Sequence, residues 1–148
     1  MSKLTKKITA IVMALLVIST ISINTLVANA AADSNFDYSF TIKASQATSK
    51  YSNGNLRSTY DNDNAWKVNL RSSGEGENTA TYFRLCLKDN SGASAWNLVT
   101  QGTGSHYYSA TDAADATTVY LQGKNNNNNT NTYTVTGYWD EETGIAPD

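Results

Sequence analysis

The segment FDYSFTIK, from Phe36 to Lys43, carries the clearest fold signal in the chain. Its apolar side chains at 36, 38, 40 and 42 alternate with polar ones at 37, 39, 41 and 43. Successive side chains of a strand point to opposite faces of a sheet, so this period of two predicts a strand with one buried face. The segment indicates that the protein is built from half-buried strands.

Six further segments show the same alternation or a short apolar run: AWKVNL (65–70), TATYFRLCLK (79–88), AWNLV (95–99), SHYYS (105–109), TTVYLQG (117–123) and TYTVTGYW (132–139). Turns rich in Gly, Asn, Asp and Ser separate them. Seven or eight short strands at this spacing predict an all-β fold, a single antiparallel β-sandwich, with a small barrel as the alternative. We expect TTVYLQG to pair with TYTVTGYW, and the Asn-rich segment between them to be a long hairpin loop.

The first thirty residues have the order of a secretory signal peptide. A basic opening with three lysines leads into the mostly apolar run 8–23, and small residues occupy the cleavage-site positions Ala28 and Ala30. A membrane span needs about 20 predominantly apolar residues, and this run is shorter and interrupted by Ser and Thr. We therefore expect a signal-peptide helix over residues 1–30 and a β-sandwich domain over residues 31–148, secreted without a stable membrane anchor.

Charge argues against several kinds of partner. The chain has 11 Lys and Arg against 13 Asp and Glu, and three of the lysines lie in the predicted signal peptide, so the remainder has a net charge of −5. Because the sequence shows no basic cluster, we expect no nucleic acid partner and no adhesion to anionic lipid. We also expect no cofactor.

Two residues, His106 and Cys86, are the main candidates for a catalytic role. His106 is the only histidine, so any Ser/His/Asp or Cys/His arrangement must use it, but no nucleophile elbow or recognised cysteine signature is present. Cys86 is the only cysteine, which excludes an intramolecular disulfide. Alternation places it beside Arg84 and Lys88, whose charges favour a reactive thiolate, but a lone strand cysteine is more often a buried apolar side chain. We expect a half-exposed His106, a buried Cys86 and no enzymatic activity.

Acidic turns raise the possibility of calcium binding. In DNDN, Asp61 and Asp63 have the spacing that opens an oxygen-ligand loop, but the later Gly and the bidentate Glu of a complete loop do not follow. We therefore expect a solvated turn and no metal site.

The last predicted strand runs into the segment TVTGYWDEETG (134–144). We expect Trp139 to be buried, and Gly137 to mark a bulge or a close approach by another strand. We expect Asp140, Glu141 and Glu142 to be solvated at the strand's end and to discourage edge pairing.

Four stretches together resemble a known group of proteins: SFTIKASQA (39–47), WKVNL (66–70), GSHYY (104–108) and GYWDEET (137–143). With the signal peptide before them, they are similar to a secreted family of Gram-positive bacteria that is one of the numbered domains of unknown function. The resemblance covers residues 36–143 and implies a small exported protein, with no catalytic or binding residues to transfer. Size, export and Trp, Tyr, Gly and Asn content also resemble lactococcin-type bacteriocins, which implies an antimicrobial alternative.

Nine tyrosines and three tryptophans supply the candidate binding site. Tyr and Trp bring large amphipathic contact surfaces at small entropic cost, and such surfaces often bind sugar rings or protein partners. We expect an exposed aromatic patch drawn from Tyr107, Tyr108, Tyr120 and Tyr138 that recognises a cell-envelope glycan or a surface protein. The alternatives are a bacteriocin-like antimicrobial protein and a secreted hydrolase that uses its carboxylates.

Overall fold

Two antiparallel sheets form the protein in the computed structural model, which describes residues 32–148. Within that range the strands are β1 (Phe36–Ile42), β2 (Ser49–Lys50), β3 (Asn55–Arg57), β4 (Trp66–Ser73), β5 (Ala80–Cys86), β6 (Asn97–Thr100), β7 (Ser105–Tyr108), β8 (Thr117–Asn125) and β9 (Tyr133–Asp140). One turn of 3-10 helix, Asp112–Ala114, precedes β8. Residues 32–148 contain no helix with the length and apolar character to cross a membrane. The predicted signal peptide, residues 1–30, lies outside the described residues.

The strand order confirms the prediction of an antiparallel β-sandwich. One sheet has four strands in the order β1-β9-β4-β7, and the other has the order β2-β8-β5-β6, with β3 also paired to β8. The described residues form more strands than the seven or eight predicted because β2 and β3 are only two and three residues long. Segments that short carry no alternation to recognise in the sequence.

The predicted pairing of the last two strands is wrong. β8 pairs with β5, β2 and β3, whereas β9 lies between β1 and β4 in the opposite sheet. The Asn-rich segment is therefore a crossing between sheets and not a hairpin loop. Its carbonyl at Asn129 accepts a hydrogen bond from the Ser45 backbone at 2.7 Å, and the side chains of Asn125 and Asn129 bond to each other at 3.0 Å.

The core lies between the facing sides of the two sheets. Across this interface the Tyr38 and Phe83 rings pack with centroids 5.8 Å apart. Other core side chains that are at most 1% exposed include Trp66, Val68, Leu70, Leu85, Val119, Leu121, Val135 and Trp139. Each large apolar side chain buried in this way stabilises the fold by about 1.5–3 kcal/mol. The alternation predicted for β1 is confirmed at Tyr38 and Ile42, while Phe36 at the strand's start remains 42% exposed.

Strand β9 approaches β4 closely at Gly137. A Cβ at this position would overlap the carbonyl oxygen of Asn69 and lie 2.8 Å from the Tyr38 hydroxyl. That hydroxyl donates a hydrogen bond to the same carbonyl at 3.0 Å, within the core. The register of β4 shifts between Leu70 and Ser72, beside this point. The predicted irregularity at Gly137 is confirmed, and only a residue without a side chain fits there.

We expect Gly137→Ala to lower the free energy of unfolding by about 3 kcal/mol, since the new methyl group forces β4 and Tyr38 apart. Urea unfolding followed by tryptophan fluorescence measures the change. Thr134→Ala, on an exposed position of the same strand, is the control and should change stability by no more than about 0.5 kcal/mol. Equal stability of the Gly137→Ala protein and the wild type would contradict the close approach.

Candidate functional site

The four tyrosines predicted to form one patch lie on different surfaces. Tyr120 is in β8 of the five-stranded sheet, whereas the other three are in β7 and β9 of the four-stranded sheet. Tyr108 packs against Trp66, with ring centroids 5.3 Å apart, and so lies on the core side of its strand. Tyr107 and Tyr138 share the outer face of the four-stranded sheet. The structure therefore does not bring the four side chains together.

Hydrogen bonds and ion pairs occupy the surroundings of Tyr107 and Tyr138. The Tyr107 hydroxyl donates to the Asp33 carboxylate at 3.3 Å, and the guanidinium of Arg71 lies 4.6 Å from the Tyr138 ring centroid. The basic side chains here have acidic partners, Lys67 with Asp33 and Arg71 with Asp37. Because these charges are paired, this face is nearly neutral. Both tyrosines are half-buried, and the polar groups of the face already have partners.

The outer face of the five-stranded sheet gathers six side chains that we name the cation-aromatic face: Lys50, Tyr82, Arg84, Trp96, Tyr120 and Lys124. The Arg84 guanidinium carbon and the Lys124 ammonium nitrogen lie 4.4 and 4.7 Å from the Trp96 ring centroid. Lys124 also lies 5.1 Å from the Tyr82 centroid, and Lys50 lies 4.8 Å from that of Tyr120. Because each such contact contributes about 0.5–1 kcal/mol at an exposed site, the rings hold the cations in defined positions.

Strand register explains why these side chains meet. Lys50 in β2 is opposite Gln122 in β8, and Gln122 is opposite Arg84 in β5. The next row across the sheet consists of Lys124, Tyr82 and Leu98. Alternation places both rows on the side that faces away from the core.

No carboxylate of residues 32–148 forms an ion pair with a cation of this face, although the more distant charge of Asp89 interacts with Lys50. The ion pairs in that range involve Lys67, Arg71 and His106, and none involves Lys50, Arg84 or Lys124. The five strands of this sheet contain no Asp or Glu. A positive surface therefore exists on a chain of negative overall charge. The sequence shows no basic cluster because the three cations come from separate segments.

The acidic run at the end of β9, residues 140–142, is buried, so the prediction that it is solvated is wrong. Asp140, Glu141 and Glu142 are 1%, 9% and 3% exposed. The Glu142 carboxylate accepts hydrogen bonds from the backbone N–H groups of Ser58 and Thr59 at 3.1 and 2.9 Å. Its oxygens satisfy donors that the short strand β3 leaves free, and the run thereby anchors the segment after β3.

Arg57, the last residue of β3, also anchors the segment after this strand. The side chain is fully buried and donates to the carbonyl oxygens of Glu141, Asp61 and Asn64 at 2.6, 2.6 and 2.7 Å. Burial lowers the pKa of Arg57, and the nearby Glu142 carboxylate opposes that change. The turn considered for calcium is thus held from within by Arg57. No group of three or more His, Cys, Asp or Glu with the geometry to hold a metal ion occurs in residues 32–148.

Burial also changes the proton affinity of the acidic run. It raises the pKa of Glu141 to about 7, with a further contribution from the Asp140 charge, and it raises the pKa of Asp140. A carboxyl with a raised pKa holds a proton in the folded protein that the unfolded chain has already released. Folding stability from Glu141 is therefore fully present below its ordinary pKa of 4.5 and is lost as the pH rises toward 7.

We expect Glu141→Gln to flatten the dependence of stability on pH between 4.5 and 7, because the amide cannot titrate and still accepts a bond from Asn55. Urea unfolding at several pH values across this range measures the effect. Glu77→Gln, at an exposed acid, is the control and should leave the wild-type profile unchanged. Parallel profiles for wild type and Glu141→Gln would refute the assignment.

His106 lies in an arrangement with the layout of a catalytic triad but without its chemistry. Its Nε2 is 2.8 Å from the Thr103 hydroxyl, and its Nδ1 is 3.9 Å from the Asp148 carboxylate. The Thr103 hydroxyl donates its single hydrogen to the Thr100 carbonyl at 2.7 Å, so the His106 nitrogen must be the donor in the other bond. The hydroxyl is therefore not activated as a nucleophile. The half-exposed position predicted for His106 is confirmed.

Cys86 is fully buried, which confirms the prediction. Burial raises the pKa of its thiol to about 11, although the charges of Lys50 and Arg84 oppose the rise. We expect a thiol reagent at neutral pH to label the native protein at least on the order of 100-fold more slowly than the urea-unfolded protein, because the thiolate is scarce and covered. Labelling at the same rate in both states would contradict this burial.

Comparison with known proteins gives a family and no activity. No curated protein and no solved structure matches the chain. A family model described as a protein of unknown function (DUF2712) matches residues 24–143, a range that includes every strand from β1 to β9. The predicted membership in a numbered domain of unknown function is confirmed, and the chain belongs to the DUF2712 family.

Proposed function

We propose that this protein is a secreted, non-enzymatic binding protein whose cation-aromatic face recognises a ligand of the cell envelope or the extracellular medium. One observation carries the proposal. Three aromatic rings and three cations meet on an outer sheet face, and those cations have no carboxylate partner in residues 32–148.

Exposed apolar groups on the same sheet support a binding role. Leu98, in the row of Tyr82 and Lys124, is 49% exposed, and Leu56 in β3 is 61% exposed. Aromatic and aliphatic groups surrounded by charged ones are typical of recognition surfaces. Regular strands fix the backbone beneath them, so little ordering entropy is lost when a ligand binds.

Several features support a secreted protein without catalytic activity. The first thirty residues have the order of a signal peptide, and the likeness to a Gram-positive secreted family agrees with export. Cys86 is buried, and the Thr103 hydroxyl beside His106 is not activated. The Glu142 carboxylate is engaged with backbone donors and belongs to the fold.

The proposal predicts saturable binding to washed Gram-positive cells. The full chain is expressed in a Gram-positive host, the protein is purified from the medium, and the fraction that sediments with cells is measured as its concentration rises. Mass spectrometry of that protein should show a chain that begins at Ala31. Absence of saturable binding, or absence of the protein from the medium, would overturn the proposal.

A matched pair of double variants locates the binding surface. We expect Tyr82→Ser with Trp96→Ser to weaken binding at least about tenfold, because the rings that hold Arg84 and Lys124 in place are lost. Tyr107→Ser with Tyr138→Ser removes two rings from the opposite sheet and should leave binding unchanged. Thermal unfolding of both variants checks that they fold. The reverse result would place the site on the four-stranded sheet, and a viability count on the same cells tests the bacteriocin-like alternative.

A further inference from the structure

Two positive groups share the ring of Trp96. The Arg84 guanidinium and the Lys124 ammonium lie 4.4 and 4.7 Å from the same centroid. The two like charges near one ring repel each other, and no carboxylate in residues 32–148 pairs with either. An anion that contacts both groups is attracted to each of them and offsets their repulsion.

The guanidinium of Arg84 is oriented by the protein and leaves one edge open. Its Nε donates to the Gln122 side chain at 2.7 Å, and its Nη2 donates to the Asn90 carbonyl at 3.2 Å. Its Nη1 has no hydrogen-bond acceptor among the described residues. A Cβ at Gly92 would lie 2.7 Å from Nη1, so the glycine keeps the space beside this donor free. The arrangement presents the two N–H groups of Nη1 in a fixed position, and charge-assisted donors of this kind bind phosphate.

Lys124 is free to complete such a contact. Its ammonium is held over Trp96 and Tyr82 and has neither an ion pair nor a hydrogen bond within the part of the chain that the structure describes. All three of its N–H donors are therefore available.

We propose that Arg84 and Lys124, held over Trp96, bind phosphate groups of an anionic cell-wall polymer whose sugar or polyol units are joined by phosphodiesters. This inference rests on the proposed function and names its ligand class. Lys50 lies two strands from Arg84 in the same row, on the order of 10 Å away, and offers a second contact to a chain with repeating phosphates.

The surface fits a sparsely charged, hydroxyl-rich polymer better than a membrane or a nucleic acid. The Trp96 and Tyr82 rings carry cations over them, so they are not free to insert into lipid or to stack with bases. The net charge of −5 on residues 31–148 opposes the approach of a densely negative surface or backbone more than that of a sparsely charged polymer. Hydroxyl-bearing units between phosphates suit the half-buried side chains of Tyr82 and Tyr120 on the same face.

Binding to purified walls tests the inference. One wall preparation keeps its phosphodiester polymers, and the other has been stripped of them with cold aqueous hydrofluoric acid, which cleaves phosphodiesters. The wild type should bind the first and lose most binding to the second. Binding to intact walls should also weaken as salt rises from about 50 to 200 mM.

Two variants that remove one positive charge each provide the matched comparison. We expect Lys124→Gln to weaken binding to intact walls about 3- to 10-fold, the loss expected for one charge-assisted contact. Lys43→Gln removes an equal charge from an exposed position after β1 and should bind as the wild type does. Equal losses in both variants would show general charge attraction and overturn the site.

The remaining outcomes separate this inference from the function on which it rests. Equal binding to intact and stripped walls overturns the phosphate ligand and leaves recognition of the envelope standing. Binding to whole cells but to neither wall preparation does the same. Tighter binding to vesicles of phosphatidylglycerol and phosphatidylcholine than to intact walls assigns the face to the membrane and overturns the polymer. No binding to cells or walls removes both proposals.

Discussion

The missing side chain at Gly137 is the constraint on which the four-stranded sheet depends. Through the space that it leaves, the Tyr38 hydroxyl of β1 reaches past β9 to the Asn69 carbonyl of β4. Three neighbouring strands are joined at that point, and the register of β9 is fixed between the other two. A slip of one residue would turn Val135 and Trp139 out of the core, because side chains alternate along a strand.

The register of β9 also decides where its acidic end lies. With β9 in place, the carboxylate of Glu142 meets the N–H groups after β3, and the Glu141 carbonyl meets the guanidinium of Arg57. The last strand of one sheet is thereby tied to a short strand of the other. Buried charges do not by themselves guarantee stability, but a network whose members are largely hydrogen-bonded disfavours other arrangements of the same chain. The inner polar groups hold the two sheets together, and the outer face of the five-stranded sheet remains available for a ligand.

Local pattern in the sequence predicts what depends on one segment alone. Alternation in FDYSFTIK and TATYFRLCLK is sufficient for the strands and the sandwich, and alternation in TYTVTGYW correctly places Trp139 in the interior. The burial of Cys86 follows from the usual behaviour of a lone strand cysteine, because alternation puts this residue on the face of Arg84. It does not reveal strand partners, so the pairing of β8 with β9 was wrong. Asp140 to Glu142 are charged and follow a strand, which is typical of a solvated end, and their partners lie more than 80 residues away. The cation-aromatic face is equally non-local, because Trp96 and Lys124 join the outward positions of β5 only once the sheet exists.

The order of strands in the four-stranded sheet also sets the time at which the chain can fold. β1 has β9 as its strand partner, with Phe36 opposite Trp139, and the backbone N–H of Asp148 bonds to the edge strand β7. Contacts between such distant segments form late, because the loop between them must close first. Because synthesis proceeds from the N-terminus, β1 leaves the ribosome long before its partner β9. The four-stranded sheet cannot be completed until β9 has been synthesised, so the topology delays compaction of the chain until its C-terminal strand is present.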